Sequence, residues 1–587
     1  MLWGAANILA IHYVKSEHTL YTYDSVGYWS AFIDMSEGLV HNFKKTVELL
    51  FTIRGSDYNH LWTILMAPLY WLFGGTRTGY ILMIVNGLAV PSALSFTFLL
   101  GGVGKKGYRL ATDEGGGMTT SAKSFPQIDI TSVLVFFMVL TLPAFWRPVV
   151  TGMIDVGGTI LIHLILYLCL RKPLIERGMW SMALIGFLLA ALSLYRRWYI
   201  IWVVGFLLAA LFDALVWGLS AVSGNSLRAR VRKVTGGALN VEFVALVFVG
   251  VLLLVATSLV MRVTGTNYAD LYSPYQLRDA RFSNILLSFA KYFGLLPLGL
   301  AFLGFIIALF HPSVRRFALF LAVQFLCSFL IFTHIQDFNP HHYYLVVPAL
   351  LFFLCYFMVS VYGTVRKIAM RMGILAAFVL LSLFSFSAAF FPQMSGFRKE
   401  MLFILPGATA YPSVMSEQNM GVDIRLEETL SQLVKSPSEK IYVLPNLEVS
   451  APIIRYLYLS LGRKNRIGDN VLPTQILDKR DGFPSRLFEA TYIVVTDPLL
   501  HMHKDEDIQI AILPAKLIMS GEGIGSSYQR LPYDFTLENG VKAYIYKKVL
   551  PLKRSDLASF SEMLRKVYPD RESIFRIKVD PKVAVTD

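Results

Sequence analysis

Long apolar runs separated by short polar stretches fill residues 1–391. The runs are Leu2–Val14, Tyr80–Leu100, Ile130–Phe145, Val156–Leu170, Trp180–Leu194, Tyr199–Leu219, Val241–Met261, Ile285–Phe310, Phe317–Phe332, Tyr344–Tyr362 and Ile374–Phe391. They predict about 11 transmembrane helices; several fall short of bilayer length and need tilt or local thinning. Leu2–Val14 has no basic start and no small-residue cleavage site, so it reads as a first helix that begins upstream, not as a signal peptide. Leu61–Phe73 is too short to cross and reads as a helix in the outer interface. After Pro392 the apolar density drops, and the pattern becomes that of a small soluble domain. Lys440–Pro445, Thr491–Val495 and Lys542–Lys548 read as strands, and Arg425–Lys435 has amphipathic helical spacing. The expected fold is an α-helical polytopic membrane protein with a C-terminal soluble α/β domain, divided as 1–391 and 392–587. The boundary is placed near Pro392–Lys399.

Composition supports this division. Of the 587 residues 55% are hydrophobic and 16% charged, and the mean hydropathy is +0.54, too apolar for a soluble chain of this size. The net charge of +14 means basic cytoplasmic loops, not nucleic-acid binding. Lys105, Lys106 and Arg109 form one such loop, and Arg171, Lys172 and Arg177 another. Arg228, Arg230, Arg232 and Lys233, then Arg315 and Arg316, then Arg366, Lys367 and Arg371 follow. Counting spans puts every one on the same side, which the positive-inside rule makes cytoplasmic. The amino terminus is then cytoplasmic, the 392–587 domain is extracytoplasmic, and the compartment is the cell (inner) membrane. Cys169, Cys327 and Cys355 lie inside apolar runs, which rules out a disulfide framework or a CxxC site. The glycine-rich stretch Gly101–Gly117 reads as a flexible cytoplasmic loop without the ending of a phosphate loop.

The same count gathers a chemical inventory on the outer face. Asp24 follows the first span in YTYDSVGYW, and Asp57 and His60 precede the interfacial helix. Asp155 opens the fourth span in TGMIDVGG, and YRRWY supplies Arg196 and Arg197. Arg278, Arg281 and Lys291 surround the start of the eighth span. THIQDFNPHHYY brings His334, Asp337, His341, His342 and Tyr343 ahead of the tenth. Carboxylates and guanidinium groups at one interface suit transfer from a lipid-phosphate donor. Arginines neutralise the departing phosphate, and a carboxylate takes the proton of an attacking hydroxyl. Plainer roles compete. Asp24 and Asp155 could cap helices, and Arg196 and Arg197 could snorkel to headgroups. Outer arginines run against the positive-inside bias, however, and ask for a reason. A divalent metal on His341 and His342 is possible but not indicated, since no HExxH pattern is present.

YDSVGYW after the first helix, followed by SDYNHLWTILMAPLYWLFGG, resembles the GT-C superfamily of membrane glycosyltransferases. The branch it is similar to holds the protein O-mannosyltransferases and the lipid A aminoarabinose transferases. Asp155 at the fourth span, YRRWY after the fifth, and HHYYLVVPALLFF opening a late helix match in order and sidedness. The resemblance covers residues 1–391 in layout. It implies a hexosyl- or pentosyltransferase that inverts a sugar taken from a polyprenyl-phosphate donor. Asp24 and Asp155 would be its catalytic acids. Asp57, His60, Arg196, Arg197, Arg281, His341, His342 and Tyr343 would be its substrate-binding groups. The implied partners are the lipid-linked donor, a lipid, glycan or protein acceptor, and membrane lipids. The alternative is a multi-pass transporter of a small or lipid-linked solute. Transporters, however, carry ionisable groups at mid-membrane, and here Asp213 is the clearest such exception, near the cytoplasmic end of its run.

Overall fold

The computed structural model describes residues 2–16, 23–51, 61–113, 130–220, 227–257, 260–261, 282–365, 367–390, 417–460, 467–474, 478–501, 504–537, 540–577 and 585–586. The chain falls into two compact units. One comprises Met1–Ser16, Ala31–Thr266 and Asp279–Ser413, and the other Glu17–Ser30, Asn267–Arg278 and Val414–Asp587. The expected boundary at Pro392–Lys399 lies outside the described residues.

The first unit is helical. Among the described residues, Arg77–Gly101, Arg197–Leu219, Arg228–Val255, Pro312–Ile335 and Val347–Thr364 are long and apolar enough to cross a membrane. The run expected to form one span at Ile285–Phe310 is instead two helices, Phe282–Phe293 and Leu295–Phe310, bent by 96°. Gly294 joins them at φ +81, a left-handed conformation that glycine adopts without strain. Counted as one span, the bent pair raises the number to 6. Leu2–Ser16 (15 residues), Ile130–Thr141 (12) and Gly158–Arg171 (14) are shorter than an upright crossing requires. The count of about 11 is therefore not reached by helix length alone. The helix Leu61–Phe73 forms over the expected residues.

One local feature departs from the sequence reading. The glycine-rich stretch does not begin a loop at Gly101, because the helix Val90–Asp113 carries on past Gly104 and Gly107 to Asp113; residues 114–117 lie outside the described residues. Extending a nucleated helix through glycine costs only about 1 kcal/mol per residue. Asp213, the charge inside a span, is neutralised where it lies. Arg316 Nε and Nη2 donate to its two carboxylate oxygens at 2.8 Å each, and the guanidinium also reaches Glu176 at 3.2 Å.

The second unit contains a four-stranded sheet in the order β1-β2-β4-β3. β1 (Ile441–Val443) pairs parallel with β2 (Tyr492–Asp497), which pairs antiparallel with β4 (Lys542–Lys548). β3 (Tyr528–Thr536) closes the edge antiparallel to β4. Both faces are covered. Tyr492 and Val494 enter one hydrophobic cluster with Leu426, Leu430 and Ile545, and Ile493 and Val495 enter the other with Ile510 and Phe560. That alternation is the period-2 geometry of a strand buried on both sides. The helix expected at Arg425–Lys435 is observed at Glu417–Leu433.

Candidate functional site

Asp155 is set by a network of tyrosines acting on the backbone around it. The helix Pro143–Val150 is closed by Thr151 and followed by Gly152, whose φ of +84 turns the chain. Tyr80 donates its hydroxyl to the Gly152 carbonyl at 2.9 Å. Tyr195 and Tyr199 donate to the carbonyls of Ile154 and Asp155, each at 2.6 Å. Their rings lie so close that only glycine fits opposite them. A Cβ on Gly157 would stand 2.2 Å from the Tyr195 hydroxyl, and one on Gly158 2.2 Å from the Tyr199 ring. The Gly-Gly of TGMIDVGG thus lets YRRWY pack onto the Asp155 turn.

The Asp155 side chain is fully buried. The helix that follows it, Gly158–Arg171, has no side-chain cap. Its carboxylate faces the YRRWY segment instead. Trp198 Nε1 donates to Oδ1 at 2.9 Å, and Arg196 Nε lies 2.9 Å from the same oxygen. The arginine contact is an ion pair whose angle falls outside hydrogen-bond geometry. Arg197 is half-buried in the same turn.

Trp198 links this pair to the histidines. Its ring stacks on Tyr199 at 4.0 Å, and it meets His342 and His341 edge-on at 5.4 and 6.4 Å. The histidines sit in the turn Pro340–Leu345, which Asn339 closes with a capping box. Burial first, then the charges of His341 and Arg196, hold the His342 pKa well below the usual histidine value. The imidazole is therefore neutral. The Asn339 N–H points at its Nδ1 across 3.3 Å, so Nδ1 accepts and Nε2 carries the proton. Tyr343 packs between Tyr292 at 4.1 Å and Phe338 at 5.0 Å. Its pKa is raised by burial and by Asp337, partly offset by Arg147.

Of the expected site residues, Asp155, Arg196, Arg197, His341, His342 and Tyr343 share the first compact unit, and side-chain contacts through Trp198 tie Asp155 to both histidines. Asp24 occupies the first turn of the helix Tyr23–His41, half-buried, in the segment grouped with the second unit. Asp57, His60 and Arg281 lie outside the described residues. In the sequence YRRWY stands out for its two arginines, and Trp198, Tyr195 and Tyr199 carry no assigned role. Their spacing around the double arginine was the available signal. Among the described residues, no group of three or more His, Cys, Asp or Glu side chains is placed to hold a metal ion.

No protein-family model and no curated protein matches the sequence. Solved structures with a similar arrangement include ArnT from Cupriavidus metallidurans bound to undecaprenyl phosphate. It is 12% identical, with 93% of this chain and 97% of that chain covered, at a TM-score of 0.46. Another is the archaeal oligosaccharyltransferase AglB from Archaeoglobus fulgidus, in complex with an inhibitory peptide and a dolichol-phosphate. It is 11% identical over 92% of this chain and 73% of that chain, at a TM-score of 0.47. Similarity at this level assigns no residue a role, and the chemistry of the site rests on its own geometry.

Proposed function

We propose that the protein is a membrane glycosyltransferase that moves a sugar from a polyprenyl-phosphate donor to an acceptor hydroxyl at the outer face of the membrane, with inversion. The observation that carries this reading is the buried Asp155–Arg196 pair, which Trp198 ties to a neutral His342 and to His341. An ion pair so deeply buried offers little stability over an apolar packing. What it supplies is a fixed guanidinium beside hydrogen-bonding side chains, which is what a departing phosphate needs.

In this reading Asp24 is the general base. A half-exposed carboxylate in a first helical turn can reach an acceptor that comes from water or the outer leaflet. It removes the proton of the acceptor hydroxyl while that oxygen attacks the anomeric carbon. Asp155 acts as the second acid by orienting Arg196. Arg196 and Arg197 face the phosphate, and His341, His342 and Tyr343 line the sugar. Asp57, His60 and Arg281 complete the set on sequence grounds. The neutral His342 donates through Nε2 to a sugar oxygen without competing for the proton. The protein sits in the inner membrane, with its amino terminus cytoplasmic and its 392–587 domain outside.

The test is consumption of a labelled polyprenyl-phosphate sugar by purified protein, set beside flux of a labelled solute in proteoliposomes. Donor turnover without flux is the expected result. Flux without turnover would replace the transferase with a transporter.

A further inference from the structure

Arg147 lies in PAFWRPVV, on the helix Pro143–Val150, where nothing in the sequence marked it. Its side chain is half-buried. Among the described residues, the ionisable groups that act on it are the phenols of Tyr292, Tyr13 and Tyr343. Arg196 is different, because its charge already meets Asp155. The phenolic wall is pinned to the helix of Arg147 by its backbone. The Tyr292 hydroxyl approaches the Ala144 carbonyl at 3.5 Å, and Tyr344 donates to the Phe145 carbonyl at 2.6 Å. Tyr292 and Tyr343 stack with centroids 4.1 Å apart. The helix of Arg147 packs against both the Asp155 turn and the Pro340–Leu345 turn, so Arg147 borders the Asp155 cluster.

A guanidinium stays protonated even where burial lowers its pKa, as burial does here. Such a cation among neutral phenols is costly until an anion joins it. Phenol hydroxyls are hydrogen-bond donors and suit a phosphate, and a stacked aromatic wall suits the first carbons of a lipid chain.

We propose that Arg147, with Tyr13 and Tyr343 beside it, is a phosphate-binding residue for the lipid-linked donor and adds positive charge to that of Arg196, which Asp155 partly balances. The proposal rests on the lipid-phosphate reading above and names a residue within it.

The experiment measures binding of a short polyprenyl phosphate, the matching polyprenol, and inorganic phosphate to the full-length protein in nanodiscs. The wild-type protein should prefer the polyprenyl phosphate to the polyprenol. Arg147→Gln should weaken polyprenyl-phosphate binding about tenfold or more, as expected for loss of a charge-assisted contact. Arg147→Lys should recover part of it, and polyprenol binding should not change in either variant, which shows that the lipid-binding fold persists. Unchanged polyprenyl-phosphate affinity in Arg147→Gln, with the wild-type preference intact, would overturn this inference alone. A wild-type protein with no preference for the phosphorylated lipid would overturn the donor reading and this proposal together. Inorganic phosphate bound as tightly as the lipid would make the site one for a free anion and also refute the proposal.

Discussion

Replacing Asp155 by asparagine removes one charge and almost no volume. The partner guanidinium stays where it is, with its side chain 10% exposed against 0% for the aspartate. Removing one member of a buried pair costs about 3–5 kcal/mol, because the other charge is left uncompensated. Here the low end applies. Asparagine still offers Trp198 an acceptor, and Arg196 keeps a little solvent, so about 3 kcal/mol is expected. Asp155→Ala should cost about 1 kcal/mol more, since the Trp198 N–H then loses its acceptor. Arg196→Gln alone strands the carboxylate at similar cost. The double substitution Asp155→Asn with Arg196→Gln strands neither, and should cost about 2 kcal/mol less than the sum of the single changes. Reversible unfolding in mixed micelles, followed by tryptophan fluorescence, gives all the corners of the cycle. Additivity within about 0.5 kcal/mol would refute the claim that these residues act as a unit.

Lys548 in β4 gives a pH test in the second unit. Burial lowers its pKa from 10.5 to about 8, and its ammonium donates to the Phe488 carbonyl. The unfolded chain then binds the proton more tightly than the folded one, so the contribution of this group to stability should rise between pH about 8 and 10.5. Lys548→Met should remove that slope and slow amide exchange in β4 at neutral pH by about 1 kcal/mol, a figure reduced for the part of the ammonium still in solvent. No change in exchange would mean that the lysine is not penalised. Because the pKa of His342 is held well below its usual value, it stays neutral down through mildly acidic pH. Turnover should therefore show no step near pH 6.5 from this residue, and a step that disappears in His342→Gln would contradict its neutrality. For topology, Ser526→Cys should react with an impermeant thiol reagent in intact cells and Arg228→Cys should not. Both positions are exposed on the protein surface, and the reverse pattern would invert the assignment of faces.

The features legible in the sequence were those that repeat with a period or that stand out by charge. The strands at Ile441–Val443, Tyr492–Asp497 and Lys542–Lys548 carry dense apolar residues, and the observed bounds follow them closely. β3 was missed because it is an edge strand, mostly exposed, with a register shift between Arg530 and Asp534 around Pro532. Such a strand has little apolar signal to read. The bend at Gly294 was missed because hydropathy is blind to a backbone angle, and the run stays apolar across it. At the site, Asp155 and the double arginine drew notice as charges beside apolar runs. Their pairing was not legible, since it depends on Gly157 and Gly158 admitting two tyrosine rings. Arg147 was hidden for the opposite reason. One arginine between Trp146 and Pro148 looks like an interfacial anchor, and only the tertiary fold brings Tyr13, Tyr292 and Tyr343 around it.

The central claim is carboxylate-assisted transfer from a lipid-phosphate sugar, and Asp24→Asn tests it most directly. The change keeps size and removes the base. Single-turnover measurements with a labelled polyprenyl-phosphate sugar and purified protein should show the transfer rate falling about 10²-fold or more. Donor affinity and thermal unfolding should remain those of the wild type. A transfer rate near the wild-type value in Asp24→Asn would contradict the account and leave Asp24 a helix-capping residue.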